Sequence, residues 1–220
     1  MEAPYAAADR DGRLQLSPRS LTGYLADGFT MEAHVAAGPK ILTADDVLDL
    51  PDPEGGIGWE FVDGQVVPVM PASFTHGEMM VEVAARLWSY VREHGLPGKV
   101  VTDVGVVLGL RRDPERMRGP DVLYIERAKL EGCDRERFLR VVPDLAIEID
   151  LTSAKKPGGQ QRIIDYLEAG VRLVWAIDIH SHTAMVYRPD GSARLMRANE
   201  ALDGEDVVPG FKLPLAELFQ

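Results

Sequence analysis

The chain has 220 residues and a formal net charge of −11, from 24 Lys+Arg against 35 Asp+Glu. That length allows one sizeable core, and the charge excludes a whole-molecule field that would draw in nucleic acid or an anionic membrane. At 45% apolar and 27% charged residues the composition is that of a folded domain, so any anion-binding role must rest on a local group of cations. The single cysteine, Cys133, excludes an internal disulfide and suits a reducing compartment. Residues 1–30 lack a basic-then-apolar signal pattern, and no run approaches the roughly 18 apolar residues of a membrane span. A cytoplasmic location and no membrane partner are expected.

Residues 1–38 carry no sustained apolar period and are predicted to be a flexible N-terminal arm, with the ordered domain spanning 39–220. Thr43 can cap a short helix whose first turn holds Asp45 and Asp46. Trp59–Val62 and Gln65–Val69 flank Asp63-Gly64, the dipeptide of a two-residue hairpin turn. From Phe74 to His94, Met80, Val83, Ala84, Leu87 and Val91 recur at helical spacing and Gly95 supplies the stop. This predicts a long amphipathic helix with His76 at its head, His94 at its C-terminal end and Trp88 in the core.

Val100–Leu110 reads as one β-branched strand and Pro120–Ile125 as the next. Over Asp144–Asp150, Leu145, Ile147 and Ile149 alternate with Ala146, Glu148 and Asp150, so a strand there sets Glu148 and Asp150 on one face. Gln160–Ala169 has helical spacing and stops at Gly170, Arg172–Asp178 and Thr183–Arg188 read as strands, and the remainder reads as loops closed by a short terminal helix at Leu215–Phe219. Strands and helices mix without regular alternation, which argues a single α/β domain with Trp175 in its core.

The chemistry centres on three carboxylates. Glu148 and Asp150 would lie about 6.5–7 Å apart at Cα, and Asp121, opening an earlier strand, would complete an oxygen-rich cluster of the kind Mg²⁺ prefers. Such an ion makes hydroxide from bound water and polarises phosphate. The plainer alternative is that Asp121 caps a turn while Glu148 and Asp150 line a solvated sheet face. Charge placement favours the first: Arg111, Arg112, Arg116 and Arg118 outnumber Asp113 and Glu115 just before Asp121, and Lys155, Lys156 and Arg162 follow Asp150 with no acid among them. That pattern suits a polyanion approaching a metal, against which stands ordinary solvated loop charge. His180 and His182 have no acid or Cys at ligand spacing and are assigned to an exposed turn. A carboxylate-pair glycosidase would need an apolar-walled cleft to raise one carboxyl pKa, and no sequence feature marks one.

The order Trp59-Glu60-Phe61-Val62-Asp63-Gly64, His76 at a helix head, Gly119-Pro120-Asp121-Val122, a strand ending at Glu148, and Asp165-Tyr166-Leu167-Glu168-Ala169-Gly170-Val171 before Leu173-Val174-Trp175-Ala176-Ile177-Asp178 resembles the Uma2 family over about residues 41–219. Members are endonucleases of the PD-(D/E)xK class. The resemblance implies a restriction-endonuclease-like core, a mixed β-sheet flanked by α-helices, acting on DNA phosphodiesters with Mg²⁺ or Mn²⁺. Asp121 and Glu148 are then the metal ligands, Asp150 a third ligand or water-orienting base, and Glu60 and His76 neighbours of the site. It is also compatible with a homodimer. After the strand's Glu the family typically reads Val-x-Ser-Pro-Ser, whereas Glu148-Ile149-Asp150-Leu151-Thr152-Ser153 keeps only the last Ser. Asp150 stands where the class usually has Lys, and relatives that move this Lys to the following helix match Arg162, with Lys155 and Lys156 as nearby cations. The alternative reading is a catalytically degenerate nuclease-fold module that binds DNA or protein.

Overall fold

The computed structural model describes residues 43–150 and 158–219. The arm expected at 1–38 and the loop residues Lys155 and Lys156 lie outside the described residues. A 3-10 turn, Ala44–Asp49, follows Thr43, whose N–H and hydroxyl both donate to the Asp46 carboxylate at 2.8 and 2.9 Å. Thr43 thus begins the short helical turn expected from the sequence, with both bonds running from Thr43 to the Asp46 side chain. β1 (Gly58–Val62) and β2 (Gln65–Val69) form the hairpin, with Asp63 at φ 49° and Gly64 at φ 73°, both in the left-handed region that a type I′ turn requires. α1 (Phe74–Glu93) starts at Ser73, whose hydroxyl accepts from the His76 N–H at 3.3 Å, and ends at His94 and the left-handed Gly95.

The strand expected over Val100–Leu110 is in fact two. β3 (Gly98–Thr102) ends before Asp103, which sits at φ 54°, and β4 (Val106–Val107) resumes in a different sheet, paired with β5 (Met117–Arg118). The residue composition is continuous across the break, so β propensity alone could not locate it. β6 (Val122–Glu126) and β7 (Leu145–Ile149) are antiparallel. α2 (Gly159–Ala169) crosses over to β8 (Leu173–Asp178), which runs parallel to β7. β9 (Thr183–Tyr187) and β10 (Ala193–Arg197) continue the sheet. The region expected to be loops therefore holds β10, a ribbon of β11 (Ala201–Asp203) and β12 (Lys212–Pro214), and then α3 (Leu215–Leu218). β10 escaped notice because only Met196 of its five residues is buried, leaving no alternating pattern to read.

The result is a six-stranded mixed sheet, β10-β9-β8-β7-β6-β3, beside a four-stranded antiparallel sheet, β2-β1-β5-β4. On one face of the larger sheet Met79, Val83, Leu87 and Val91 of α1 pack against Val122, Ile147, Ile149 and Trp175. On the other, Ile163 and Tyr166 of α2 pack against Leu123, Ile125, Ala146 and Val174. The spacing of Met79, Val83, Leu87 and Val91 turns Trp88 outward: it is 47% exposed, with the Arg92 guanidinium 4.6 Å above its ring. Trp88 is thus a surface residue, contrary to the sequence expectation, whereas Trp175 is buried in the core.

Candidate active site

Strand register sets the backbones of Asp121 and Glu148 level. Val122 pairs with Ile147, so the next antiparallel step sets Asp121 level with Glu148. Asp121 Oδ2 accepts from the Ile149 N–H at 2.6 Å, and its Oδ1 lies 3.3 Å from His76 Nε2 on α1. Glu148 alternates with Ile147 and Ile149, whose side chains lie under α1, and therefore points to the α2 side. It is fully buried there, so the solvated-face alternative does not hold for it. Its Oε1 accepts from Tyr166 Oη at 2.6 Å and from Arg162 Nε at 3.0 Å.

Arg162 is the hinge of the cluster. Beyond Glu148, its guanidinium donates to Glu60 Oε1 from β1 and to the Gly119 carbonyl at 2.8 Å, so one side chain ties α2 to both sheets. Burial works against its charge, but Glu148, the Tyr166 oxygen and Glu60 together hold its pKa well above the usual arginine value. Burial alone would raise the Glu60 carboxyl, yet Arg162 and Arg118 overcome it and leave that pKa lowered. Burial and the neighbouring Glu148 charge push the Tyr166 phenol well up, keeping it a hydrogen-bond donor. Glu60 also accepts from the Gly119 N–H at 3.2 Å and from Arg118 Nη1 at 2.9 Å.

The arginine-rich stretch before Asp121 does not form a patch open to a polyanion. Arg116 and Arg118 are buried and converge on Asp165 of α2, at 3.2 and 2.7 Å. Arg116 also reaches Asp113 at 2.9 Å and Asp63, while Arg112 bonds Asp165 and Glu168. Burial would raise Asp165, but its bonds from Gln161 and Arg118 and the charge of Arg116 leave it lowered. Charges adjacent in sequence found partners far along the chain, which the sequence could not show.

Asp150 does not share a strand face with Glu148. β7 ends at Ile149, and Asp150 turns the chain at φ 55° with its N–H donating to the Ile177 carbonyl at 2.7 Å. Its Oδ1 lies 3.4 Å from Nε2 of His180, which is exposed at the β8–β9 turn as expected. His94 caps α1, its Nδ1 3.0 Å from the Tyr90 carbonyl oxygen. Sequence reasoning gave no site role to Tyr166 or Asp165, quoted only within the family motif, and took Arg116 and Arg118 as cations open to a polyanion rather than buried partners of Asp165. Only Tyr166 carried a signal, its place four residues after Arg162 on one helix face.

The donor set can be judged for a divalent ion. Among the described residues no group of three or more His, Cys, Asp or Glu side chains converges on one point. Asp121, just ahead of β6, and Glu148 in β7 have level backbones, but the Asp121 carboxylate meets His76 of α1 while that of Glu148 meets Arg162 and Tyr166 of α2. Carboxylate oxygens are the donors Mg²⁺ prefers, commonly one or two from the protein with water and phosphate completing the shell.

A sequence model of the Uma2 family, described as "Putative restriction endonuclease", matches residues 44–216. The chain belongs to the Uma2 family. A crystal structure described as a putative nuclease of the DUF820 group from Anabaena variabilis superposes on this Uma2 protein with a TM-score of 0.65 at 20% identity. The match covers 81% of this chain and 97% of that one, and at such identity the likeness is one of fold. Among curated proteins none matches the chain. No helix among the described residues is long and apolar enough to cross a membrane.

Proposed function

We propose that this Uma2 protein is a metal-dependent DNA endonuclease that hydrolyses phosphodiester bonds, with Asp121 and Glu148 holding Mg²⁺ or Mn²⁺. One observation carries the reading: register sets the backbones of Asp121 and Glu148 level, and a buried permanent cation is bonded to Glu148. When bound, the ion would lower the pKa of the attacking water and offset charge on the phosphate. His76 and the Ile149 N–H fix the Asp121 carboxylate. Tyr166 and Arg162 hold Glu148 in place by donating to its Oε1, and Glu60 orients Arg162 from the facing sheet. Arg162 gives up no proton at working pH, so its contribution is electrostatic. Asp150 stands by as a water-orienting carboxylate, and Lys155 and Lys156 are the cations for the phosphate in the segment that follows. The catalytic unit is 39–220, with 1–38 an arm that its folding does not need, and the setting is the cytoplasm.

A second reading, a catalytically degenerate module that binds DNA or protein, is favoured by the way Arg162 spends its donors on Glu60, Glu148 and the Gly119 carbonyl. Nicking of supercoiled plasmid with Mn²⁺ at low salt, where electrostatic binding is strongest, separates the two. Activity in the native protein that is lost in Asp121→Ala and retained in part by Arg162→Lys supports the enzyme. Native protein as inactive as Asp121→Ala, with no difference between them in a calorimetric Mn²⁺ titration, selects the degenerate module.

A further inference from the structure

The outward face of α1 is unusual for a surface helix. Phe74 is 84% exposed and Val81 65%, and the exposed Trp88 completes a row with a residue every seven positions. Seven-residue spacing of apolar side chains is the seam of a helix that packs against another helix, and here it extends about 21 Å along the axis at 1.5 Å per residue. Between Val81 and Trp88 the side chains are small, Ala84 and Ala85, the latter exposed, so two backbones can approach closely there. Met70, four residues ahead of the helix, is also exposed.

The charges beside the seam are sorted. Glu78 lies in the first half of α1 and Arg92 in the second, and among the described residues neither takes part in an ion pair; Arg92 rests on the Trp88 ring. Glu82 and Arg86, by contrast, are bonded to each other, and Arg86 also to Glu217. The exposed Glu93 also ends α1, so the helix as a whole is not sorted by charge, but the face that carries Glu78 near one end and Arg92 near the other is complementary to itself when antiparallel. A two-fold axis imposes that arrangement, because each contact then occurs twice with roles exchanged. Antiparallel helix dipoles act in the same direction.

We propose that α1 pairs antiparallel with α1 of a second copy of this chain, crossing at Ala84 and Ala85. In that register Val81 lies opposite the partner's Trp88, Phe74 opposite the partner's Gly95, and Glu78 beside the partner's Arg92. The inference stands independently of the nuclease reading, since it uses no residue of the carboxylate site. A contact centred on one helix pair is smaller than most stable interfaces, so the dimer dissociates in the micromolar range.

Sedimentation equilibrium of the full chain over micromolar concentrations tests it. The expected result is a reversible dimer, converted to monomer by Trp88→Glu or Val81→Glu with unchanged far-ultraviolet circular dichroism. Glu78→Arg weakens the dimer several-fold, and adding Arg92→Glu restores it. A native protein that stays monomeric overturns the proposal and leaves the stripe to residues 1–42 or to another protein. A dimer that survives both Trp88→Glu and Val81→Glu overturns it as well, and a double charge swap that restores nothing overturns the antiparallel register.

Discussion

Arg162 Nε donates to Glu148 Oε1 across 3.0 Å in the protein interior, and the same guanidinium reaches Glu60 in the second sheet. One side chain therefore ties the two sheets together. A buried charge pair broken from one side leaves an uncompensated ion, at a cost of about 3–5 kcal/mol. Arg162→Ala should fall in that range by urea denaturation. Arg162→Lys keeps the charge but cannot fork to three acceptors, so a smaller loss is expected. A change in Arg162→Ala below about 1 kcal/mol would show that the network contributes little beyond local order.

Acid should weaken the protein through Asp165 and Glu60. Both carboxyls are lowered in the folded state, against burial, by their arginine partners. The folded state then binds fewer protons than the unfolded one, whose carboxyls titrate near pH 4, so stability rises with pH across that window. The contribution is complete above the unfolded values and is lost as pH falls through the folded ones. Asp165→Asn should destabilise the protein at neutral pH and flatten the acid limb of a plot of melting temperature against pH. An acid limb identical to that of the native protein would remove Asp165 from this role.

Gly98 opens β3 with the Tyr124 ring against its Cα: a Cβ built there would lie 2.1 Å from a ring carbon. Tyr124 is buried, so the ring cannot simply swing away. Gly98→Ala should cost about 1–3 kcal/mol or more by chemical denaturation, and a neutral result would mean that the β3–β6 edge yields easily.

Asp103 holds φ 54° where the chain leaves the larger sheet. Glycine takes that conformation without the Cβ penalty, so Asp103→Gly should be neutral or raise stability by up to about 1 kcal/mol. Asp103→Val, β-branched at positive φ, should lower the melting temperature clearly. The reverse order of the two variants would place the break elsewhere.

The proposed arm gives a simple comparison. A chain beginning at residue 39 should melt within a degree or two of the full chain by calorimetry, and a large loss would make residues 1–38 part of the folded unit.

Much of this architecture was written in local pattern. The Asp63-Gly64 hairpin, the Thr43–Asp46 cap, the extent of α1 and the alternation that turns Glu148 away from Ile147 and Ile149 all follow from neighbouring residues. Once β6 and β7 pair, their register sets the backbones of Asp121 and Glu148 level. Other features had no local signature. Asp150 leaves the strand because its backbone turns left-handed toward Ile177, and β10 is an edge strand with one buried residue. Trp88 faces outward because Met79, Val83, Leu87 and Val91 claim the buried side of α1.

The sequence by itself determined the residues able to do chemistry and the elements that carry them, because strand and helix periods are set within a few residues. Where each charge would end was decided only by the tertiary structure. Arg116 and Arg118 are near Asp121 in sequence, yet they turn inward to Asp165, and Arg162 turns to Glu60, far along the chain. Burying a charge is costly unless an opposite charge meets it, so the partner that folding brings near, rather than the neighbour in sequence, fixes what each arginine can do.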